Sequence, residues 1–458
     1  MNNVMSKLFS MIMGCIVLNF LFSCGNTEDK NLPKNIILMI SDGCGFNQVD
    51  ATSIYQFGKS GEQIYEKFPV KYAMSTYPAG GTVYDPDAAW KSFQYVLNKP
   101  TDSAASATAM ATGIKTYNKY IAVDTSNNKI KTILERAEEL GKSTGIVTSV
   151  LFSHATPACF VAHNISRANY DSIAREMIVD SHLEVLMGCG HPYFDDNGNR
   201  TSDTTFNFVG GKNTWEALEA GQIGNDADGD AIIDFWKLIQ ERLDFQTLMS
   251  GDTPKRVIGI PKVRATLQQS RAGNVNAALY EVPLIQDVPT LPEMALAAIN
   301  VLDNDEDGFF LMIEGGAIDW ASHGNQPGRM IEEEIDFNKT IEAVVEWVEK
   351  NSSWAKTLVI VTGDHETGYL TGPGSGNDKD LASGGIFAVW KPLVNNGKGK
   401  LPGMEWHTHG HTNSLIPLYS KGRGSELFNG FADKIDPVRG KYVDNTEVGK
   451  LMFKLWGE

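Results

Sequence analysis

The chain has 458 residues, 42% hydrophobic and 21% charged, a soluble globular composition sufficient for one large core or two to three domains. Its 56 acidic residues outnumber 40 basic ones, for a formal charge of −16, which argues against nucleic acid as a partner. The same acidity serves solubility, or it reflects carboxylates gathered to hold cations.

Residues 1–23 read as a secretory signal: Lys7 precedes the apolar run "LFSMIMGCIVLNFLF", which is too short for a confident membrane span. "LFSC" closes the run and resembles a bacterial lipobox, in which Cys24 would be lipidated as the mature N-terminus. The expectation is an exported protein, lipid-anchored to a bacterial membrane on its periplasmic or cell-surface side. Residues 24–33 read as a flexible tether. Residues 34–458 follow as a single domain. Cys44, Cys159 and Cys189 lack a C-x-x-C pair and an even count, so neither a disulfide framework nor a zinc ribbon is indicated.

Four stretches share one grammar, a short apolar run ending in polar residues. "NIILMI" (35–40) leads into "SDGCG", and "TGIVTSV" (144–150) into "LFSHATP". "GFFLMI" (308–313) leads into "EGGAID", and "TLVIVT" (357–362) into "GDHETG". Continuous apolar runs of this length suit strands buried on both faces of a parallel sheet. Helical patterns at 130–142 and 331–351 lie between them. The expected fold is therefore an α/β three-layer α/β/α sandwich around a large, mostly parallel central sheet. Residues 190–290 are turn-rich and Pro-punctuated and read as an insertion over the site.

Open parallel sheets bind ligands beyond the carboxyl ends of their strands. Those ends carry Asp42, His154, Thr156, Glu314, Asp319, Asp364 and His365. Asp319 and His323 stand four apart, on one face of a helix, where they can share a metal ion. His411 lies in "HTHGHTNS" beside His407 and His409, a tract that by itself reads equally as an incidental surface run. Asp/His sets suit zinc; Asp42, Thr156 and Glu314 offer only oxygen, which suits magnesium.

"TDSAASATAMATG" (101–113) is Ala-rich and helical, with Thr101 or Asp102 as N-cap and Gly113 as its stop. Ser103 then sits at the helix start, where free N–H groups favour an anion; read alone, it is an ordinary Ser/Asp cap, a feature far commoner than a catalytic serine. Arg167 could match two phosphate oxygens at once, or be a surface arginine. "DNDEDGFFLMIE" (303–314) fits a calcium-loop pattern through Asp303, Asp305, Asp307, Gly308 and Glu314. Such a loop needs its last ligand at the start of a helix, whereas "GFFLMI" is strand-like. The match is expected to be a polar turn followed by a strand, with Glu314 about 20 Å from the turn. "NDADGD" (225–230) puts Gly224 at the first ligand position and reads as a poor loop.

Six segments, "SDGCGFNQV", "TDSAASATAMATGIKTYN", "ATPACFVAHNISR", "EGGAIDWASHGN", "TGDHETG" and "GHTNS", span Ser41 to Ser414. Together and in this order they resemble the alkaline phosphatase family. The resemblance implies hydrolysis of phosphate monoesters through a phosphoserine, with Ser103 as nucleophile and Arg167 as phosphate clamp. It implies one zinc ion on Asp319, His323 and His411, and a second on Asp42, Asp364 and His365. A third metal, usually magnesium, would use Asp42, Thr156 and Glu314. Asp102 and His154 would stand just outside these ligands, and Trp320 beside the phosphate. Some members have Asp where this chain has His154, and Lys where it has Trp320; other members share the His and Trp. The family often forms homodimers, so a dimer is expected. Within the broader fold, a sulfatase would need a C/S-x-P-x-R segment, which the sequence lacks, and a phosphodiesterase usually carries Thr in place of Ser103. A calcium-binding surface lipoprotein is the alternative from another class, supported only by the acidic loops.

Overall fold

The four apolar runs form four adjacent strands at the middle of one sheet. The computed structural model describes residues 32–458, and Leu32–Glu458 make one compact unit. The expected signal segment, Cys24 and most of the tether lie outside the described residues. Eleven strands form the sheet: β1 (Asn35–Ser41), β2 (Val70–Ser75), β3 (Ser143–Leu151), β4 (Val185–Cys189), β5 (Lys237–Ile239), β6 (Val257–Gly259), β7 (Phe309–Gly315), β8 (Thr357–Gly363), β9 (Ile416–Gly422), β10 (Lys434–Asp436) and β11 (Gly440–Asp444). Their spatial order is β10-β11-β2-β9-β8-β1-β7-β3-β4-β6-β5. From β8 through β1, β7, β3, β4 and β6 to β5 every pairing is parallel; β9 turns antiparallel between β8 and β2.

Every residue of β1, β7 and β8 is buried. Alternation along β1 divides its side chains between the two faces. Ile36, Leu38 and Ile40 join one apolar cluster, Ile37 and Met39 the other, as a strand covered by helices on both sides requires. Register then fixes the active edge. Ser41 pairs with Gly363 on one side and Gly315 on the other, so the chain leaves the sheet at one level before Asp42, Asp364 and Gly316. Glu314 pairs with Ile40 and Thr148 one residue below.

Four helices carry the remaining site residues or brace the sheet: α1 (Phe46–Phe57), α2 (Ser103–Thr112), α3 (Ala317–His323) and α4 (Pro327–Asn351). Asp102, rather than Thr101, caps α2 by accepting from Ala105 N at 3.0 Å. Gly113 closes it at φ 74°, a left-handed conformation that favours glycine. Residues 190–290 contribute the edge strand β5 and its neighbour β6 to the main sheet. Cys44, Cys159 and Cys189 are free and buried. Among the described residues no helix is long and apolar enough to cross a membrane.

The acidic triplet of α4, Glu332, Glu333 and Glu334, is buried throughout. Glu332 pairs with Arg271 at 2.7 Å and accepts from Tyr280 N, which ties the 262–285 segment to α4. Glu334 accepts from Ser41 Oγ at 2.8 Å and Tyr65 Oη at 3.3 Å. Glu333 leaves Oε1 without a hydrogen bond, and burial, reinforced by Asp336 and Glu332, pushes its carboxyl up to about 8. Above an unfolded-state pKa of about 4.3 the unfolded chain releases this proton while the folded chain keeps it. Glu333 therefore costs stability progressively as pH rises from about 4 to 8. Glu333→Gln is expected to leave the melting temperature nearly unchanged at pH 5. At pH 9 it should raise stability by on the order of 3 kcal/mol, read by denaturant melts at the two pH values.

Candidate metal-assisted active site

Asp42 and Asp364 leave neighbouring strands fully buried. Asp364 Oδ1 accepts from Gly43 N at 3.0 Å and His365 N at 2.8 Å. His365 Nε2 lies 3.2 Å from Asp364 Oδ2 and 3.6 Å from Asp42 Oδ1. Gly43 has φ 74°, and a Cβ there would stand 2.7 Å from Asp319 Cα. Only glycine lets the β1 exit pass this close to α3.

Asp319 and His323 share one face of α3, with His323 Nε2 at 3.4 Å from Asp319 Oδ2. His411 reaches them from the short strand His411–Thr412. Its Nε2 is 2.9 Å from His323 Nε2 and 3.6 Å from Asp319 Oδ1. Each ring is aimed from behind. His411 Nδ1 donates to Thr101 O at 2.8 Å, and His323 Nδ1 to the carbonyl of His409, leaving both Nε2 lone pairs facing inward. Thr367 Oγ1 donates to Asp319 Oδ1 at 2.6 Å and lies 3.2 Å from His365 Nδ1. Donor atoms fall into two groups with metal-binding spacing, Asp42–Asp364–His365 and Asp319–His365–His411. His365 is common to both, and His323 adjoins the second.

On the far side of Asp42, Thr156 Oγ1 approaches Asp42 Oδ2 at 3.5 Å. Glu314 Oε2 accepts from Thr148 Oγ1. Asp42 Oδ1, Asp364 Oδ2 and Glu314 Oε1 are buried with no hydrogen-bond partner among the described residues. Burial, with Asp364, Asp319 and Glu314 adding like charge, pushes the Asp42 carboxyl well above the usual range. Burial likewise pushes Asp364 and Glu314 up to about 7, and holds His365 and His411 below the usual imidazole range. Unpaired buried carboxylates beside neutral imidazoles are a donor set that fits cations.

Ser103 begins α2 at the same edge, its Oγ 3.2 Å from His365 Nε2. Arg167 is held from two sides. Its Nη1 donates to Asp102 Oδ2 at 3.2 Å and its Nη2 to His154 Nε2 at 3.2 Å. A guanidinium only donates, so His154 accepts and is neutral; burial and then the Arg167 charge hold it well below the imidazole range. Asp102 also accepts from Lys119 N at 3.0 Å, and so connects the α2 start to the Arg167 loop. Trp320 packs its edge against His154 at 5.6 Å between ring centroids. Ser103, His154, Arg167, Asp319, Trp320, His323 and His411 line one open cavity of about 380 Å³.

The structure thus gathers every site residue expected from the sequence within the described residues. Thr148, Thr367 and His409 are additional contacts; all three lie inside segments already singled out, but nothing in their spacing marked them. His407 instead donates to or accepts from Thr371 Oγ1 at 2.7 Å, away from the ligands. The calcium-loop pattern is divided by β7: Asp305 accepts from Ser143 N and Oγ at the opposite sheet edge, while Glu314 is the penultimate residue of the strand. Asp226, Asp228 and Asp230 do cluster, but Lys255 Nζ sits 2.7 Å from Asp228 and 3.0 Å from Asp230.

The alkaline phosphatase family model matches residues 33–383. Alkaline phosphatase 3 of Bacillus subtilis is 30% identical over 92% of this chain and 88% of its own length. Among solved structures, alkaline phosphatase from the Antarctic bacterium TAB5 superposes with a TM-score of 0.62 and 27% identity, covering 93% of this chain and all of that one. A His-to-Glu mutant of the TAB5 enzyme, with Mg bound in its M3 site, matches at a TM-score of 0.62 and 26% identity over 93% of this chain and 98% of its own. The chain belongs to the alkaline phosphatase family and is a metal-binding hydrolase of phosphate monoesters.

Proposed function

We propose that Ser103 is the nucleophile of this hydrolysis and that Arg167 clamps the transferring phosphoryl group. The observation that carries the reading is the convergence of Ser103, Arg167 and two metal-spaced donor groups at one sheet edge. Asp319, His323 and His411 would hold one zinc ion, and Asp42, Asp364 and His365 a second. Asp42, Thr156 and Glu314 would hold a third metal, usually magnesium; the TAB5 mutant with Mg in its M3 site supports a third ion in a relative. When bound, the ions supply positive charge for the attacking and leaving oxygens of an in-line displacement.

The chain's own residues do the rest. Ser103 Oγ loses its proton and bonds to phosphorus as the ester alcohol leaves with its oxygen. Arg167 and the free N–H groups at the α2 start hold the equatorial oxygens, whose charge grows in the transition state. Asp102 fixes both donors at once, capping α2 and orienting Arg167. Water then cleaves the phosphoserine, restoring Ser103 and releasing phosphate. His154 keeps Arg167 in place without adding charge, and Trp320 presents a ring where some relatives carry a cation, so product phosphate is held less tightly.

Export and lipid anchoring through Cys24, on the periplasmic or cell-surface side, are part of the same proposal, supported by the "LFSC" segment. A homodimer is the proposed assembly, on family resemblance. Two outcomes test the site. Ser103→Ala should lower monoester turnover by about 10³-fold or more at unchanged metal content; retained turnover refutes the nucleophile. Trp320→Lys should tighten inhibition by inorganic phosphate by about fivefold; an unchanged inhibition constant counts against the role given to Trp320.

A further inference from the structure

A second cavity, of about 710 Å³, adjoins the phosphate cavity, and His323 and His411 line both. Its other walls come from the 78–81 turn with Gly80 and Gly81, from Lys99 to Asp102, and from Tyr117 and Asn118. The phosphate cavity is lined on its other sides by Arg167, His154 and Trp320. On the reading that Ser103 attacks phosphorus, the leaving oxygen departs away from Ser103, and the alcohol needs room beyond the ligand pair His323 and His411. The adjoining cavity provides it.

The charges in this groove are informative because the chain as a whole is strongly acidic, at −16. Its one carboxylate, Asp102, is taken up by Arg167, Ala105 N and Lys119 N. Lys99 is exposed, and among the described residues its ammonium has no ion pair or hydrogen bond. It also has φ +44°, a left-handed conformation that a lysine adopts only at a cost, directly before Pro100, which narrows its choices further. A glycine would fill this position more easily, so the backbone does not account for a lysine there. Tyr117, 44% exposed, presents its ring to the same groove, with no hydrogen bond to its hydroxyl among the described residues. Asn118 is occupied: it donates to Pro100 O and accepts from Asp102 N. The recognition groups that remain are one cation and the 44% exposed Tyr117 ring, which Tyr120 meets edge to face at 5.7 Å between centroids.

We infer that this groove is the leaving-group subsite and that it favours phosphate monoesters whose alcohol carries a ring and a second anionic group, with Tyr117 against the ring and Lys99 facing the anion. The inference rests on the proposed role of Ser103 and adds the substrate class. Lys99 is a specificity residue and takes no part in the chemical step.

The test compares phenyl phosphate with 4-carboxyphenyl phosphate on the metal-replete enzyme and on Lys99→Ala, Lys99→Glu and Lys99→Arg. Comparing each variant with wild type on the same ester cancels the difference in leaving-group reactivity. For the carboxylated ester, kcat/KM is expected to fall about threefold to fivefold in Lys99→Ala and about tenfold in Lys99→Glu, mainly through KM. Lys99→Arg should stay within about twofold of wild type, and phenyl phosphate within about twofold in all three variants. Salt at about 0.5 M should shrink the wild-type advantage on the carboxylated ester. If both esters respond alike, or neither responds, while wild type hydrolyses phenyl phosphate well, the groove assignment is overturned and the Ser103 reading stands. If wild type hydrolyses neither ester, both fall.

Discussion

The architecture depends on one electrostatic constraint. Asp42, Asp364 and Glu314 are carried into the interior, each with an oxygen that has no hydrogen bond among the described residues. Isolated buried carboxylates are expensive, and burial duly raises all three toward protonation. A fold that keeps them there needs cations to offset the cost. His365 and His411 answer the same need from the neutral side, since burial disfavours the imidazolium that would compete with a metal ion.

The sheet holds this cluster together. Three parallel strands in register bring Asp42, Glu314 and Asp364 to one edge, and a one-residue slip would exchange a strand's side chains between the two apolar clusters and carry its exit residue off that level. Helices then deliver the groups that a strand exit cannot. One α3 turn separates Asp319 from His323. The capped start of α2 presents Ser103, and the capping carboxylate of Asp102 reaches across to Arg167. Ser103 and Arg167 are thus positioned through one carboxylate, so their geometry exists before substrate arrives.

Much of this was legible in the sequence, for identifiable reasons. Buried parallel strands need unbroken apolar runs, and β1, β3, β7 and β8 have them. The polar residue at each exit could therefore be read as a ligand. The short strands β5 and β6 escaped because three residues each carry too little pattern within a turn-rich segment. The buried α4 triplet also escaped: "EEE" at 332–334 looks like a solvated face, and only the fold shows Arg271, Ser41 and Tyr65 arriving to meet two of the three. Thr148 and Thr367 were hidden because their partners, Glu314 and Asp319, are distant in sequence. The calcium-loop pattern was separable in advance, because a strand between its acidic turn and Glu314 places the two at opposite edges.

Metal content measured alongside thermal stability tests the central claim most directly. Purified wild-type protein is expected to carry about two zinc ions and about one magnesium per chain. Stripping them with a chelator at pH 8 should lower the melting temperature together with monoester turnover, and adding both metals back should restore the two in parallel. A stripped chain that melts at the same temperature, or an active chain holding fewer than about one ion, would contradict the account.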